Sequence, residues 1–376
     1  MEYLFTNEQT QFRESLQNFF RKHSPTSEVR RLMETQLGFN REVWENACGS
    51  LGLSGIAIPE EYGGSGFGPV ELSIVCEEMG RSLYCSPFLG SVICAGSAIN
   101  LSSANEETKE QYLSQIASGE IIAALAVTEN KPMWGDENFV TVATPIDKNT
   151  FQLTGEKNFV ISANAADIIL VITNLEERAT LFAVERDAEG LNVSDLSVMD
   201  PTRKMSACSF NKTPAKCIGS IDLETLCSHV LIYLSNEMIG GAQQLLDSAI
   251  NYTKLRFQFG RSIASFQAIK HRLADLLLEL ELAKSACYQA AQALADNEKI
   301  QERSSLAKSA ANEAFLKAGL ECIQLHGGIG FTWENDTHLW FKRAKSSEVL
   351  LGNSAMHYER LLLAIPSVDS VLRRAS

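Results

Sequence analysis

The sequence predicts an α+β protein built in the order helical, β, helical. Three observations carry this: helical apolar spacing over roughly the first 120 residues, short β-prone runs from about 121 to 222, and long apolar-faced helical segments from 223 to 376. A chain of 376 residues is too long for one small core, so these regions read as an N-terminal helical domain 1–120, a β domain 121–222 and a C-terminal bundle 223–376.

In the first region, Thr6 is a helix N-cap with Glu8 and Gln9 in the first turn. Phe12, Leu16, Phe19 and Phe20 follow at helical spacing. The Gly-rich stretch from Tyr62 to Pro69 launches a further helix through Leu72, Val75, Cys76 and Met79; with no strand before it, it reads as a connecting loop rather than a phosphate cradle. In the second region the β-prone runs are 121–128, 139–143, 151–154, 158–162, 168–173 and 180–184. Gly, Asn, Asp and Pro punctuate them at intervals suited to a small barrel or sandwich. In the third, 231–255, 266–295 and 305–325 are periodic helices, the second with Leu273, Leu276, Leu277, Leu280 and Ala283 on one face.

Composition excludes several function classes. A net charge of −13 repels phosphate backbones and anionic lipid, which argues against nucleic-acid and membrane-surface roles, though local Arg and backbone N–H groups can still hold a phosphorylated small ligand. No apolar run is long enough to span a membrane, and the first residues resemble neither a secretory signal nor a transit peptide. Nine cysteines without CxxC spacing read as buried thiols of a cytoplasmic protein, and six histidines without paired spacing give no metal site.

Two late segments carry the chemistry. The first is Arg256-Phe-Gln-Phe-Gly260, continuing through Arg261, Phe266, Gln267 and His271. The second is Gln324-Leu-His-Gly-Gly-Ile-Gly330, continuing to Glu334. Arg256 stands before a Phe-Gly break between helices, where a guanidinium can fork onto a phosphate. Gly327 and Gly328 bare the backbone for a ligand's approach, and Gln324 can hydrogen-bond a base or sugar. Equally, the arginine can satisfy helix-end carbonyls, and the glycines can simply cap a helix.

With the α–β–α order, these segments resemble the acyl-CoA dehydrogenase family over essentially the whole chain. The resemblance extends to Pro59-Glu-Glu-Tyr-Gly-Gly64, to Thr128-Glu129 and to a Gly155-Glu-Lys157 turn. It implies the fold of that family, FAD as cofactor, an acyl-CoA substrate, a role in fatty-acid or sterol degradation, an electron-transfer flavoprotein as acceptor, and a homo- or hetero-tetramer. It assigns Arg256, Gln258, Phe259, Gly260, Gln324, Gly327 and Gly328 to a neighbouring subunit's FAD, with Thr128 and Phe159 near the chain's own flavin.

The resemblance also exposes departures. The family oxidises an acyl-CoA between Cα and Cβ, with a Glu removing the Cα proton as hydride leaves Cβ for the flavin; no aliphatic side chain can replace that Glu. Its commonest position is occupied by Leu351, within Leu350-Leu351-Gly352-Asn353. The other position, twenty-six residues before Arg256, is Val230. The flavin-ring pocket has drifted too. The family's Thr-Glu-Pro and Gly-Ser-Asp stretches appear as 128–131 and 135–136, and its Trp-Ile-Thr stretch as Phe159-Val160-Ile161, where Ile161 has no hydroxyl. Glu237 lies two turns beyond Val230, roughly 10 Å along the helix, and reads more readily as a structural carboxylate than as a base. Glu348 points elsewhere, and His326 reads as a loop or flavin-edge residue.

Three functions are therefore open. One is the subunit that completes the FAD site of a hetero-oligomeric dehydrogenase. Another is a self-sufficient homotetrameric enzyme using Glu237. The third is a flavin-free scaffold.

Overall fold

The computed structural model describes residues 5–129 and 139–364; Asn130, Lys131, Gly135 and Asp136 of the expected flavin pocket lie outside the described residues. The N-terminal region carries helices α1 (Asn7–His23), α2 (Thr26–Met33), α3 (Arg41–Leu51), α4 (Pro69–Ser82), α5 (Ser97–Leu101) and α6 (Glu106–Ser118). Thr6 caps α1 as expected: its hydroxyl accepts from the Gln9 N–H while the Gln9 side chain returns to the Thr6 N–H. The Gly-rich loop delivers Pro69 to the first turn of α4, where the missing N–H costs nothing. Residues Leu89–Gly96 form a π-helix that runs directly into α5, which the sequence gives no sign of.

The central region holds strands β1 (Ala123–Ala126), β2 (Val142–Pro145), β3 (Thr150–Ile161), β4 (Ile168–Leu175), β5 (Arg178–Glu185), β6 (Leu191–Asp195) and β7 (Met205–Ser220). β4, β2, β3, β7 and β5 pair in a closed ring, with β1 added parallel to β4 and β6 antiparallel to β7. The expected small barrel is thus present, and two of the predicted runs merge into the single strand β3. Gly155-Glu156-Lys157 is not a turn but part of that strand, at an irregularity where Gly155 adopts φ +148 against Thr141. The long strand β7 escapes sequence reading because Asn211, Pro214 and Gly219 interrupt its alternation.

The C-terminal region is a bundle of α7 (Leu223–Leu255), α8 (Gln267–Asp296), α9 (Ile300–His326), α10 (Thr337–Val349) and α11 (Ser354–Ala364). None of the described helices is long and apolar enough to cross a membrane. The central helix α7 is buried along most of its length, packing on α9, α8 and α4. Its contact with α4 is backbone on backbone. A Cβ on Gly80 would sit 1.8 Å from the Glu237 carbonyl oxygen, and one on Gly240 would sit 1.9 Å from the Glu77 carbonyl oxygen. Glycine is required at both positions, and the close approach locks the N-terminal helices to the bundle. Glu77 extends the lock by accepting from Arg13 at 2.8 Å and from the Tyr288 hydroxyl on α8 at 2.8 Å.

Candidate functional site

Two groups of residues carry possible function, one on the outer face of the bundle and one at the junction of the three regions. On the outer face, α7 ends at Arg256 and the chain turns back in a two-residue hairpin, Phe257–Gln258 pairing with Arg261–Ser262. This hairpin replaces the simple break between helices expected there. Its turn residues, Phe259 and Gly260, both take positive φ, +53 and +77. A phenylalanine rarely accepts that conformation, and here its ring is 91% exposed. A backbone held in a sparsely populated region to present an aromatic ring to solvent is a feature of contact surfaces. The Arg256 guanidinium is exposed and has no ion-pair partner among the described residues, so it is not spent on helix-end carbonyls.

The second segment lies alongside. Gln324 is exposed near the end of α9, and Gly327 stops the helix at φ +63 with open space where a Cβ would stand; Gly328 is equally open. His326 is not a loop residue. It is the last residue of α9, with its ring buried, Nδ1 2.8 Å from the Cys322 carbonyl oxygen, and stacked on Tyr252 with centroids 4.1 Å apart. Since Tyr252 belongs to the last turn of α7, this stack draws the Arg256 and Gln324 segments into one surface. Exposed Leu255, Phe257, Ile329 and Phe331 extend it, and Leu278, Leu282 and Leu320 leave further apolar side chains exposed on α8 and α9.

The residues fit a phosphate-bearing dinucleotide lying across the surface: a free guanidinium, an amide side chain and bare backbone. They supply only one wall of such a site, because every one of them faces outward.

The barrel contributes Thr128 and Phe159. The Thr128 carbonyl accepts from the Asn158 N–H at 2.7 Å, which sets Phe159 beside it, and the Phe159 ring is half exposed at φ +56. Behind them Lys157 is fully buried. It donates to Glu129 at 2.8 Å and to the Val127 carbonyl at 3.1 Å. Burial pulls the Lys157 pKa down to about 8 against the opposing pull of Glu129. Burial pushes the Glu129 carboxyl up, but Lys157 and the Val140 and Thr141 N–H groups outweigh that and hold it low. This pair braces β1 against β3.

At the junction, Cys76 and Met79 of α4, Phe88, Ile161, Tyr233 and Glu237 of α7, and Arg343 of α10 surround a cavity of about 40 Å³. Glu237 is not a free carboxylate. Arg203 Nη2 donates to both of its oxygens at 2.7 and 2.6 Å, and Arg343 Nη1 donates to Oε1. Arg343 continues to Asp200 at 2.5 Å and Thr202 at 2.7 Å, and Arg203 reaches Ser347 at 3.1 Å. Burial works to raise the Asp200 pKa, but the two guanidiniums overcome it and keep the carboxyl below its ordinary range. Two acids and two arginines, all almost completely inside, form a closed, mutually neutralising cluster.

The two inherited base positions are buried and carry no carboxylate. Leu351 is 1% exposed and Val230 is 2% exposed. Leu351 takes φ +61, followed by Gly352 at φ +102. Its carbonyl accepts from His357 Nε2 at 3.1 Å, and buried Lys308 ties the segment down by donating to the Ser347, Glu348 and Gly352 carbonyls at 2.9, 3.2 and 3.1 Å. Glu348 turns its carboxylate to Lys345 on the next-but-two residue of the same helix. The arginines, Asp200 and Thr202 are the functional-region residues that the sequence did not reveal. Asp200, Thr202 and Arg203 are close in sequence, but Glu237 and Arg343, which complete the cluster, stand far away along the chain.

Residues 6–120 match the acyl-CoA dehydrogenase N-terminal domain and residues 232–365 the acyl-CoA dehydrogenase C-terminal domain. The acyl-CoA dehydrogenase IpdE2 of Mycobacterium tuberculosis is 31% identical across 92% of this chain and 93% of its own length. This chain belongs to the acyl-CoA dehydrogenase family. Family membership makes it an oxidoreductase-class flavoprotein whose cofactor is FAD. Among solved structures, a steroid acyl-CoA dehydrogenase variant, Tcur3481-Tcur3483, is 26% identical with a TM-score of 0.86 over 98% of both chains. The ChsE4–ChsE5 complex of Mycobacterium tuberculosis shares the fold at 24% identity, with a TM-score of 0.88 over 98% of this chain and all of that one.

Proposed function

We propose that this chain is the subunit that completes the FAD site of a hetero-oligomeric acyl-CoA dehydrogenase, while a second dehydrogenase-like chain supplies the base. The observation that carries this reading is that both family base positions are buried aliphatic residues, Leu351 and Val230. The junction cavity of about 40 Å³ holds a water or two, whereas small-molecule pockets run to about 300–1,000 Å³. Neither base position can accept a proton, and Glu237, the alternative carboxylate, is held by two guanidiniums.

The outer face supports the complementary half. Arg256 would fork onto the pyrophosphate, Gln258, Phe259 and Gly260 would flank it, and Gln324 with Gly327 and Gly328 would receive the adenosine portion. Thr128 and Phe159 would border whatever flavin ring the chain's own barrel meets. Bound FAD supplies the hydride acceptor for desaturation of an acyl-CoA. This chain's part is to bind and orient FAD and to exclude water from its partner's site. An electron-transfer flavoprotein as final acceptor follows from the same reading. The relatives named as two-component complexes, ChsE4–ChsE5 and Tcur3481-Tcur3483, are consistent with it. A homotetramer using Glu237 is disfavoured by the double guanidinium contact, and a flavin-free scaffold by the uncommitted Arg256.

The test is purification of the chain alone and together with a homologous chain that keeps the Glu. Alone it should neither retain flavin nor reduce a dye with acyl-CoA; the mixture should turn yellow and turn over. A yellow, active homomer overturns the proposal.

A further inference from the structure

A second cavity, which meets the junction cavity only at Tyr233, lies between the Ala57–Pro59 loop, α4, the π-helix, α5 and α7, and measures about 200 Å³. Ile58, Leu72, Val92, Leu101, Leu113 and Leu294 provide apolar walls, and among the described residues no Lys, Arg, Asp or Glu lines it. Four polar side chains line it: Ser97 and the exposed Asn100 beside the π-helix, and His229 and Tyr233 from successive turns of α7. Neither ring has a hydrogen-bond partner among the described residues, although Tyr233 is only 4% exposed. A tyrosine this deeply buried normally has a hydrogen-bond partner, so an unbonded Tyr233 hydroxyl beside a mainly apolar cavity, with the half-buried His229 one turn away, marks a place where something else supplies the bond. Burial pulls the His229 pKa down to about 4, so the imidazole is neutral at physiological pH and adds no cation.

We infer that this cavity is a binding site for a small neutral apolar molecule of one or two rings bearing a single carbonyl or hydroxyl oxygen, which Tyr233 and His229 hydrogen-bond. The volume sets the size, since a cavity of about 150 Å³ takes up benzene. The uncharged lining sets the class. A carboxylate would enter without a counter-charge, at a desolvation cost that a neutral oxygen does not meet. The π-helix contributes by opening its turn where Val92 and Gly96 form the wall. The site stands apart from the FAD surface, so its existence does not depend on the proposed role of the chain.

The test is calorimetric titration of the full chain with cyclohexanone, acetophenone and 1-indanone, beside indane and indane-1-carboxylate. At least one ketone should bind saturably at one site per chain, roughly 5- to 10-fold more tightly than Tyr233→Phe binds it, the loss expected of one hydrogen bond. Indane should lose a similar factor on the unaltered chain, and the carboxylate should bind more weakly still. Val92→Phe, which fills the cavity, should abolish binding; a matching thermal melt shows that it has folded. Tyr233→Phe removes only an oxygen and keeps the test valid should Val92→Phe fail to fold. Absence of saturable binding by all three ketones overturns the inference, as does equal binding of ketone and indane, or a carboxylate that binds as tightly as the ketones.

Discussion

The outer face of the bundle and the junction of the three regions treat polar groups in opposite ways. On the outer face Arg256, Gln258 and Gln324 are exposed and the surrounding rings and glycines are open to contact. At the junction Arg203, Arg343, Asp200 and Glu237 spend their charges on one another around almost no free space. The same side-chain chemistry is left available in one place and consumed in the other. The contrast teaches that an arginine's role follows from whether its partner is already within the chain. It also explains how a protein can keep what it offers a neighbour while closing what it would use for itself.

The largest effect expected is at the junction. Arg343→Met strands Asp200 and Glu237 with a single guanidinium, and breaking a buried pair of this kind costs about 3–5 kcal/mol. Chemical-denaturation curves should show that loss; a stability within error of the unaltered chain would mean the cluster is solvated and the junction open. The next effect concerns the floor beneath Leu351. Burial lowers the His357 pKa to about 4, while the unfolded chain titrates near 6.5, so the unfolded state binds the proton first. Stability is therefore full above pH 6.5 and falls as pH drops from 6.5 towards 4, by up to ~3 kcal/mol from this residue. His229 adds a loss of the same sign. Urea melts at pH 7 and pH 4.5 measure the total, and His357→Gln should flatten the part that belongs to the Leu351 segment.

The outer face should respond differently. Arg256→Ala removes a charge-assisted phosphate contact of about 1.5–3 kcal/mol, so flavin retention in the assembled complex should fall roughly 10- to 150-fold. The melting temperature of the isolated chain should stay where it was, since Arg256 has no ion pair among the described residues. An unchanged flavin content removes Arg256 from the site. The smallest expected effect is at Leu351→Glu. Restoring the family's carboxylate should yield no dye reduction from the chain alone, because on the proposed role the isolated chain retains no flavin. Measurable turnover by that variant would erase the distinction between the two regions.

Much of this contrast could be read along the chain, and the reasons are local. Thr6 and Gln9 announce α1 because a capping box is complete within four residues. Leu351 and Val230 mark the missing base because an aliphatic side chain cannot be anything else chemically. The outer segments were visible as contiguous motifs, although their hairpin geometry was not, since nothing in the sequence requires Phe259 to adopt positive φ. The ion cluster was hidden because its members are brought together only by folding: Arg203 follows β6, Glu237 sits mid-α7 and Arg343 on α10. The second cavity was hidden for the same reason, as His229 and Tyr233 read as ordinary positions on an apolar helix.

The reciprocal glycines at 80 and 240 carry one more consequence. With main chain resting against main chain at the α4–α7 crossing, there is no side-chain layer to slide or compress, and the two helices must travel as a single rigid piece. Hinge-bending between the front of the molecule and its bundle is therefore denied at the very place where Glu237 sits. A side chain at either position would have to push the two helices apart, and with them the backbone that carries Glu237.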